Sequence, residues 1–377
     1  MSSRPMVLRF GVEEEFLLAN PASRMTVAKA HLVVPRAVRV LGERAQHEFL
    51  DTQVEGCTPP VGTAVELRAE LIAMREQLVR AAEEADCLLV ASGTAVLPSR
   101  HPLPVTDRAR YHRVAAHVGP IADQVGGELC GCHVHLGDLD RAEALALSAR
   151  LRPWLPVLQA LCANSPFCEG RNGAASSRSL RYRAWPTCGP APALDEGGYE
   201  RLLGWLTERK VILDRRMLYW YARPSEHLPT LEVRVADTNA DVDTIVLYAV
   251  LLRGLAHTML AAQHRGRPRP PVRPGALRTA HRLAALGGLT GTGVDPCTGA
   301  AVPMERLVER LLEQAAPGLE LTGDLVLART LTHRLLATGT GAQRQRAVFA
   351  RNRSLPEVVD HLAYLTARSG RSVVGRG

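Results

Sequence analysis

Hydrophobic and ionisable side chains alternate along four short segments of this chain, which is the pattern of a β-strand with one buried face. The four segments span residues 10–18, 48–58, 129–137 and 231–237. Because successive side chains of a strand point to opposite faces, each segment places aliphatic residues on one face and acids, histidines or an arginine on the other. A core needs no such concentration of charge, so these faces predict a functional site.

The same period assigns individual side chains to shared faces. His133 and His135 share one face of the third strand, while the cysteines and aliphatic residues of that strand share the other. Glu232 and Arg234 share one face of the fourth strand. Imidazole and guanidinium groups are therefore expected beside the acids of the neighbouring strands.

Acids are the commonest ionisable residues on these faces. Glu13 and Glu15 share a face of the first strand, Glu55 lies in the second and Glu232 in the fourth. If they converge, each carboxylate pair at about 5 Å costs on the order of 3 kcal/mol at an effective dielectric constant of roughly 20. Divalent cations offset such repulsion, and oxygen ligands with one imidazole favour Mg²⁺ or Mn²⁺. The strands therefore predict a metal site.

The rest of the chain combines helical periodicity with loops. Residues 62–86 and most of the chain after residue 243 repeat apolar side chains at helical spacing. Residues 164–198 are rich in glycine, serine, proline and arginine, and a loop of that length within a compact domain is usually functional. The pattern predicts an α+β protein with one domain over residues 1–377, in which a mixed strand and helix part (1–243) precedes a mainly helical part (244–377).

Four arginines of the loop and of the segment after it are candidates for binding anionic groups. They are Arg178, Arg181 and Arg183 in the loop and Arg223 before Pro224. A planar guanidinium suits both phosphate and carboxylate. We therefore predict that these residues contact phosphate or a substrate carboxylate.

Basic residues outnumber acidic ones, which gives a formal net charge of +8 and a pI of about 9.3. This balance indicates an anionic partner. Nucleic-acid binding would need a basic stripe interleaved with aromatic residues, and the sequence has none, so an arginine-rich pocket for a nucleotide triphosphate is the better interpretation. The chain has no P-loop motif and only two lysines, Lys29 and Lys210.

The sequence predicts neither a membrane span nor export. We find no apolar run of about 18 residues, which is the length that a spanning helix needs. The N-terminus, MSSRPMVLRFGVEEEF, lacks the apolar segment of a signal peptide. The protein is therefore expected in the cytoplasm, with no membrane partner and no nucleic-acid partner.

Several motifs follow one another along nearly the whole chain. They are FGVEEEFLL, QVEGCTPP, GCHVHLG, NSPF with an arginine-rich loop and WPTCGPAP, RPSEHLPTLEVRVAD, GLTGTGVDPCTGA and GTGAQRQR. In this order they closely resemble the carboxylate–amine ligase family, also called type 2 glutamate–cysteine ligases, of the glutamine synthetase-like superfamily. The resemblance implies a curved antiparallel sheet that forms a funnel-shaped site, with helices outside.

The resemblance also implies a role for each residue that matches a family motif. The implied metal ligands are Glu13, Glu15, Glu55, His133 and Glu232. Glu48 is a weaker match to a further acid. His133 also approaches the nucleotide phosphates, His135 binds metal or substrate, and Arg234 lies beside the transferred phosphoryl group.

The activity implied by the resemblance is that of an ATP-dependent ligase. A carboxylate attacks the γ-phosphate of ATP to give an acyl phosphate, and an amine then displaces phosphate to form an amide. Metal ions and arginine neutralise charge in such reactions, and Arg234, His133 and Arg223 are the catalytic candidates. The implied substrates are glutamate and cysteine or another amino-acid pair, and superfamily habit implies a homodimer or larger homo-oligomer.

Two other functions fit parts of the pattern. A metal-dependent hydrolase could use the two histidines and the acids, and a catalytically silent family member could bind a nucleotide or metabolite. Dependence on ATP separates the hydrolase from the ligase. Three departures from the family pattern, Cys168, Arg181 and Tyr221, are expected near the mouth of the site and leave the identity of the acceptor amine open.

Overall fold

The computed structural model of the protein describes residues 7–119 and 127–370. The strands in this part of the chain are β1 (Phe10–Ala19), β2 (Ala45–His47), β3 (Gln53–Cys57), β4 (Leu88–Val90), β5 (Gly131–Leu136), β6 (Phe167–Cys168), β7 (Arg171–Asn172), β8 (Ala222–Pro224), β9 (Leu231–Asp237), β10 (Thr292–Val294) and β11 (Ala301–Pro303). Seven of them form one antiparallel sheet in the order β2-β3-β1-β5-β9-β8, with β4 paired to the end of β1. The other four form two hairpins.

The described residues also form thirteen α-helices. They are α1 (Ala30–Leu41), α2 (Ala64–Glu83), α3 (Ala109–Val118), α4 (Arg141–Leu151), α5 (Leu155–Leu161), α6 (Ser177–Tyr182), α7 (Glu196–Glu208), α8 (Val242–His264), α9 (Pro274–Gly287), α10 (Met304–Thr322), α11 (Leu325–Thr338), α12 (Gly341–Asn352) and α13 (Leu355–Gly370). The predicted α+β class with an antiparallel sheet is confirmed, and the mainly helical C-terminal part is α8–α13 with one hairpin.

The second predicted strand is wrong as a single element. Of the strand predicted over residues 48–58 only β3 forms, and the preceding strand, β2, ends at His47, before the predicted strand begins. In the turn between them the Phe49 carbonyl accepts a bond from the Thr106 amide at 3.0 Å. The Thr106 hydroxyl donates to the Glu48 carbonyl at 2.7 Å. The turn is therefore paired with a neighbouring loop and not with the sheet, which takes Glu48 out of the strand that carries Glu55.

One face of the sheet is covered by helices and forms the core of the molecule. Helix α8 packs against β5 and β1, and α2 packs against β1, β3 and β4. The aliphatic residues predicted for this face are buried, as Val12, Phe16, Val134 and Val233 illustrate. The opposite face carries the ionisable residues.

Helix α8 is long and apolar enough to cross a membrane, which corrects the expectation that the chain lacks such a run. Its mean hydropathy is 1.7 over an 18-residue window, and 83% of that window is buried inside the protein. Tyr248 of this helix donates to the Val233 carbonyl of β9 at 3.2 Å. The apolar surface of α8 is thus used to cover the sheet.

The predicted functional loop, residues 164–198, is held by the C-terminal part of the chain. The side-chain amide of Gln345 donates to the carbonyl oxygen and to Oδ1 of Asn164, at 2.9 and 2.8 Å. Gly341 lies so close to the Asn164 side chain that a Cβ at this position would overlap it. The GTGAQRQR motif, residues 339–346, is therefore a clamp on the start of the loop, and we call it the C-terminal clamp.

The loop contains helix α6, whose position is fixed by β9. The Ser176 side chain caps the helix by accepting from the Ser179 amide at 3.1 Å. The carboxylate of Asp237, the last residue of β9, accepts from the hydroxyls of Ser165 and Ser176 at 2.7 and 2.8 Å. These bonds tie the loop to the sheet on both sides of the β6–β7 hairpin and so position Arg178.

Candidate active site

Strand register places ionisable side chains of the open face directly across from one another. Glu13 of β1 lies opposite His133 of β5, and Glu15 of β1 lies opposite Glu55 of β3. Directly opposed residues of antiparallel strands bring their side chains within about 5 Å. The pairing of β1 with its two neighbours thus assembles three acids and an imidazole.

The strands on the other side of β5 extend this row. His135 of β5 lies opposite Glu232 of β9, and Glu232 lies opposite Arg223 of β8. Arg234 follows on the same face of β9. The faces assigned from alternation are therefore the faces that converge in the fold.

The open face lines a cavity of about 620 Å³. Most of the predicted site residues line it: Glu13, Glu15, Glu55, His133, His135, Arg178, Arg223, Glu232 and Arg234, together with Glu48 from the turn after β2. Glu48 reaches the cavity from this turn even though it lies outside the strands.

Two predicted loop arginines do not reach the cavity. Among the described residues, neither Arg181 nor Arg183 belongs to its lining. Arg181 forms an ion pair with Glu169 at 3.6 Å, and Arg183 is exposed. Helix α6 turns only Arg178 and its last residue, Tyr182, inward.

The other departures from the family pattern also lie away from the cavity. Cys168 is buried in β6, and Tyr221 is buried with its ring 4.6 Å from the ring of His281. Neither residue is part of the cavity lining in the described chain. The expectation that these residues lie at the mouth of the site is therefore wrong, because both are used in packing.

The first group of candidate ligands consists of Glu13, His133 and Glu232, which we call the mixed triad. One ligand atom from each lies within 4.8 Å of the others. Nδ1 of His133 is 3.4 Å from Glu13 and 3.6 Å from Glu232. The histidine is buried, and its Nε2 forms no hydrogen bond with any described residue.

The second group consists of Glu15, Glu48 and Glu55, which we call the acidic triad, and its ligand atoms also lie within 4.8 Å of one another. Burial, together with repulsion by Glu13, Glu48 and Glu15, raises the pKa of Glu55 well above its usual value. Burial and the charge of Glu15 raise the pKa of Glu48 to about 8. Carboxyl groups that repel one another in a buried site need either protons or a cation.

The two histidines have opposite electrostatic environments. Burial and the charge of Arg234 lower the pKa of His133 to about 4, so this imidazole is neutral at physiological pH and can bind a cation. Burial would lower the pKa of His135 too, but the carboxylates of Glu13 and Glu232 together raise it. Nε2 of His135 is 3.1 Å from Glu13, and its Nδ1 is 2.9 Å from the Thr230 hydroxyl.

Two arginines flank Glu232. Nε of Arg223 donates to Glu232 at 2.7 Å, and Nη1 of Arg234 pairs with its other carboxylate oxygen. Burial would raise the pKa of Glu232, but these two guanidinium groups hold it well below its usual range. Arg234 also donates to the Tyr182 hydroxyl at 3.2 Å. The mixed triad is thus bordered by fixed positive charge.

Arg178 enters the cavity from α6. A side chain at Gly131 would overlap its guanidinium, so glycine at this position allows the close approach. The guanidinium lies 5.1 Å from the ring centre of Tyr182 and 3.9 Å from Asp237. Its Nε is buried without a hydrogen-bond partner in the described part of the chain. An arginine with an unused donor inside a cavity can bind an anion.

Three residues that hold the predicted ones were not predicted from the sequence. Tyr182 bonds to Arg234, Thr230 bonds to His135, and Asp237 secures the loop. A signal existed for Tyr182, because it lies four residues after Arg178, which is the spacing of neighbours on one helix face. For Thr230 and Asp237 the signal was their place at the two ends of β9.

The residues present fit divalent cations. The donor set is mostly carboxylate oxygen with one neutral imidazole, whose buried Nε2 lies 3.7 Å from Glu15 and has no hydrogen-bond partner among the described residues. Mg²⁺ and Mn²⁺ prefer such donors, whereas structural zinc prefers thiolate and several imidazoles. The mixed triad and the acidic triad each fit one such ion.

Sequence comparison identifies relatives of the whole chain. The model of glutamate–cysteine ligase family 2 matches residues 9–362. A Saccharopolyspora erythraea protein, named provisionally as glutamate–cysteine ligase 2-1, is 42% identical over 376 residues, which cover 97% of this chain and 98% of that protein. A Salinispora arenicola protein, named provisionally as glutamate–cysteine ligase 2, is 40% identical and covers 95% of each chain.

Solved structures share the fold at low sequence identity. A glutamate–cysteine ligase from Francisella tularensis, solved in complex with AMP, aligns with a TM-score of 0.72 at 11% identity and covers 99% of this chain and 91% of that one. A bifunctional glutathione synthetase from Pasteurella multocida aligns with a TM-score of 0.70 at 15% identity, covering 96% of this chain and 52% of that one. With the family model and the relatives at about 40% identity, the resemblance seen in the motifs is confirmed: the chain belongs to glutamate–cysteine ligase family 2 and is an enzyme of the ligase class.

Proposed function

We propose that the protein uses ATP to join the carboxylate of one small molecule to the amine of another, forming an amide bond. The observation that carries this proposal is a single cavity in which the mixed triad and the acidic triad lie beside Arg234, Arg223 and Arg178. Membership in a ligase family supports it and favours the ligase over a metal-dependent hydrolase.

The proposed reaction has two steps because a carboxylate is a poor electrophile. A carboxylate oxygen attacks the γ-phosphorus of ATP, the bond from that phosphorus to the bridging oxygen breaks, and ADP leaves. The amine nitrogen then attacks the acyl carbon, phosphate leaves with the electrons of the carbon–oxygen bond, and the amine gives up a proton. The product is therefore lighter than the acid and amine together by one water.

Divalent cations would be held by the mixed triad and by the acidic triad. When bound, Mg²⁺ or Mn²⁺ supplies positive charge for the oxygens of the transferred phosphoryl group. The two triads lie in the same cavity and share no residue. This arrangement suits a reaction in which a phosphoryl group and a second substrate must be held side by side.

The protein's own residues provide position and charge, which are what phosphoryl transfer requires. Arg234, fixed by Glu232 and Tyr182, provides charge that cannot move away from the mixed triad. Arg178 has a free donor for an anionic substrate group. Arg223 is turned toward Glu232 and two backbone carbonyls, so its role is to fix Glu232 and with it the mixed triad.

ADP release by the purified protein tests the proposal. The protein is incubated with ATP and Mg²⁺ across pairs of amino acids and simple amines, and products are identified by mass. We expect ADP only with particular acid–amine pairs, together with a product lighter than their sum by one water. ADP that forms without an amine-containing product would contradict amide formation.

Two matched variants connect this activity to the site. Glu55→Gln removes one ligand of the acidic triad and is expected to lower turnover on the order of 100-fold or more. Glu313→Gln removes an exposed carboxylate of α10 and is expected to leave turnover unchanged. Equal activity of the two variants would rule out the role proposed for the acidic triad.

The alternatives predict different outcomes in the same assay. A catalytically silent member would bind ATP with Mg²⁺ in a calorimeter but release no ADP with any pair. A hydrolase would cleave a substrate in the presence of metal and without ATP. The first outcome would contradict the ligase and support a silent binding protein, and the second would support a hydrolase.

Glutamate and cysteine, the substrates named for the relatives, are the first pair to test. Another amino-acid pair is the alternative. The homodimer and the cytoplasmic location expected from the sequence stay predictions.

A further inference from the structure

Five aromatic side chains form one wall of the cavity, which we call the aromatic wall. They are Phe49, Tyr111, Tyr182, Trp185 and Tyr219, and all five belong to the cavity lining. Neighbouring rings meet edge to face, with centroids 5.4 to 5.9 Å apart. Aromatic residues make up only 4% of the chain, so composition alone does not explain this concentration.

The rings of the aromatic wall come from segments far apart in the chain. One follows β2, one belongs to α3, two lie at or just after the end of α6, and one precedes β8. Each of the five is only partly buried. Phe49, Trp185 and Tyr219 pack on one side against a hydrophobic cluster, and all five rings also line the cavity.

The ends of the aromatic wall connect two parts of the site. At one end the Tyr182 hydroxyl accepts from Arg234 at 3.2 Å, beside the mixed triad. At the other end Phe49 directly follows Glu48 of the acidic triad, and the Tyr111 hydroxyl donates to the carbonyl of His47 at 3.0 Å. The aromatic wall therefore extends from Arg234 to the segment that carries Glu48.

Charge decides which substrate the aromatic wall faces. Among the described residues, neither Glu48 nor Glu55 forms an ion pair with an arginine, whereas Glu232 of the mixed triad pairs with Arg223 and Arg234, so the acidic triad is the more negative part of the cavity. An acceptor amine arrives as an ammonium ion and is attracted to this charge, whereas the triphosphate of a nucleotide is repelled by it. A ring that lies against the aromatic wall is therefore attached to the amine and not to the nucleotide.

We propose, building on the proposed ligase function, that the aromatic wall is the acceptor subsite and that the acceptor is a primary amine carrying an aromatic ring. The ring of the substrate joins the series of edge-to-face contacts, and its amine lies toward the acidic triad. Leu103, Val105 and Val114, which also line the cavity, supply apolar contacts next to the ring. The donor carboxylate then lies between the amine and Arg234.

Calorimetry with amines matched in size tests the subsite without requiring turnover. L-phenylalanine and L-cyclohexylalanine are titrated separately into the protein loaded with Mg²⁺ and a non-hydrolysable ATP analogue. Because a favourable ring pair contributes a preference of about three- to tenfold, we expect phenylalanine to bind more tightly by that factor. Equal affinity, or binding of neither amine, would overturn the proposal.

Variants locate the binding in the aromatic wall. Trp185→Leu is expected to weaken phenylalanine binding about three- to tenfold while leaving the affinity for the ATP analogue unchanged, and Trp185→Phe is expected to restore it. Trp205→Leu, at a half-exposed ring of α7 outside the cavity, is the matched control. Tyr219→Leu gives a second test should Trp185→Leu fail to fold.

The outcomes separate this proposal from the proposed function. If the ATP analogue loses affinity in Trp185→Leu and phenylalanine does not, the wall holds the adenine ring and the proposal is wrong. If phenylalanine binds through Trp185 but no acid yields ADP, the acceptor subsite stands and the ligase reaction fails. If ADP forms only with amines that lack a ring, the ligase stands and the acceptor subsite fails.

Discussion

Glu13, Glu14 and Glu15 are consecutive residues of one strand, yet their carboxylates have very different partners. Glu14 points to the covered face, where it pairs with Arg75 through two contacts of 2.5 and 2.8 Å and both residues are fully buried. Glu13 and Glu15 point to the open face, where they join the mixed triad and the acidic triad. The same residue type therefore serves two purposes on the two faces of β1.

The difference shows how a buried acid can be interpreted. On the covered face the charge of Arg75 balances the charge of Glu14. The guanidinium of Arg75 also donates to the carbonyls of Asn239 and Ala240. On the open face the arginines flank Glu232, while in the described part of the chain neither Glu48 nor Glu55 of the acidic triad forms an ion pair with a basic side chain. Unbalanced charge, and not the presence of acids, marks the ligand site.

The largest expected effect comes from breaking the balanced pair. Glu14→Gln leaves the charge of Arg75 buried and unpaired, which is expected to lower the free energy of unfolding by about 3 to 5 kcal/mol. Denaturant unfolding of the metal-free protein measures this change. The matched control is Glu15→Gln, one residue away on the opposite face.

Glu15→Gln is expected to change the stability of the metal-free protein by less than about 1 kcal/mol. Its amide oxygen can still accept the bond that the Gly131 amide donates at 2.5 Å, and one of the repelling charges is removed. If Glu15→Gln lowers the free energy of unfolding as much as Glu14→Gln does, both faces of β1 depend on internal charge pairs. The contrast between the two faces would then be wrong.

A smaller effect is expected in the pH dependence of stability. Because the pKa of Glu48 is raised to about 8, the folded metal-free protein keeps a proton that the unfolded chain releases near pH 4.5. The stability of the metal-free protein therefore falls as the pH rises from about 4.5 to 8 and is constant above that range, as far as this group is concerned. Thermal unfolding at a series of pH values measures the slope.

Glu48→Gln sharpens this prediction, because a glutamine does not titrate. The variant is expected to show a shallower fall of melting temperature over the same range, and the difference between the two profiles isolates Glu48 from other groups. Mg²⁺ is expected to bind the wild-type protein more tightly as the pH rises, since binding displaces protons. If the melting temperatures of the wild type and of Glu48→Gln fall in parallel as the pH rises, Glu48 does not hold the proton that is released.

The smallest effect is expected at Arg181. Its ion pair with Glu169 is partly exposed, so Arg181→Ala should cost less than about 1 kcal/mol of stability. The variant should leave the KM for ATP within about twofold, whereas Arg178→Ala should raise the KM of an anionic substrate about tenfold. A large effect of Arg181→Ala on either KM would show that Arg181 contributes to substrate binding.

The strand faces could be predicted because a period of two is a local property. Alternation alone assigned His133, His135, Glu232 and Arg234 to their faces, and the register of the sheet then brought them together. Helix α8 shows the opposite case. Its composition resembles a membrane span, and only packing against the sheet distinguishes it from one.

The site residues outside the strands could not be placed in the same way. Arg178 and Arg181 belong to the same short helix and look alike in sequence, but the rotation of α6 is set by distant contacts through Asp237 and Asn164. The aromatic wall has no sequence signal, because its rings come from separate segments with no common period. Such features depend on tertiary contacts between residues far apart in the chain, 61 positions for Ser176 and Asp237 and 181 positions for Asn164 and Gln345.

The C-terminal clamp is one of the last parts of the protein to be synthesised on the ribosome. Gln345 contacts Asn164 across 181 residues of chain, so the loop that carries Arg178 lacks this partner until nearly all of the protein has been synthesised. The sheet strands are complete once β9 has emerged, long before the clamp exists. During synthesis the loop can therefore be held by Asp237 before it can be held by the C-terminal clamp. A chain that ends after β9 but before residue 345 has all the strands of the seven-stranded sheet but lacks this contact to the loop.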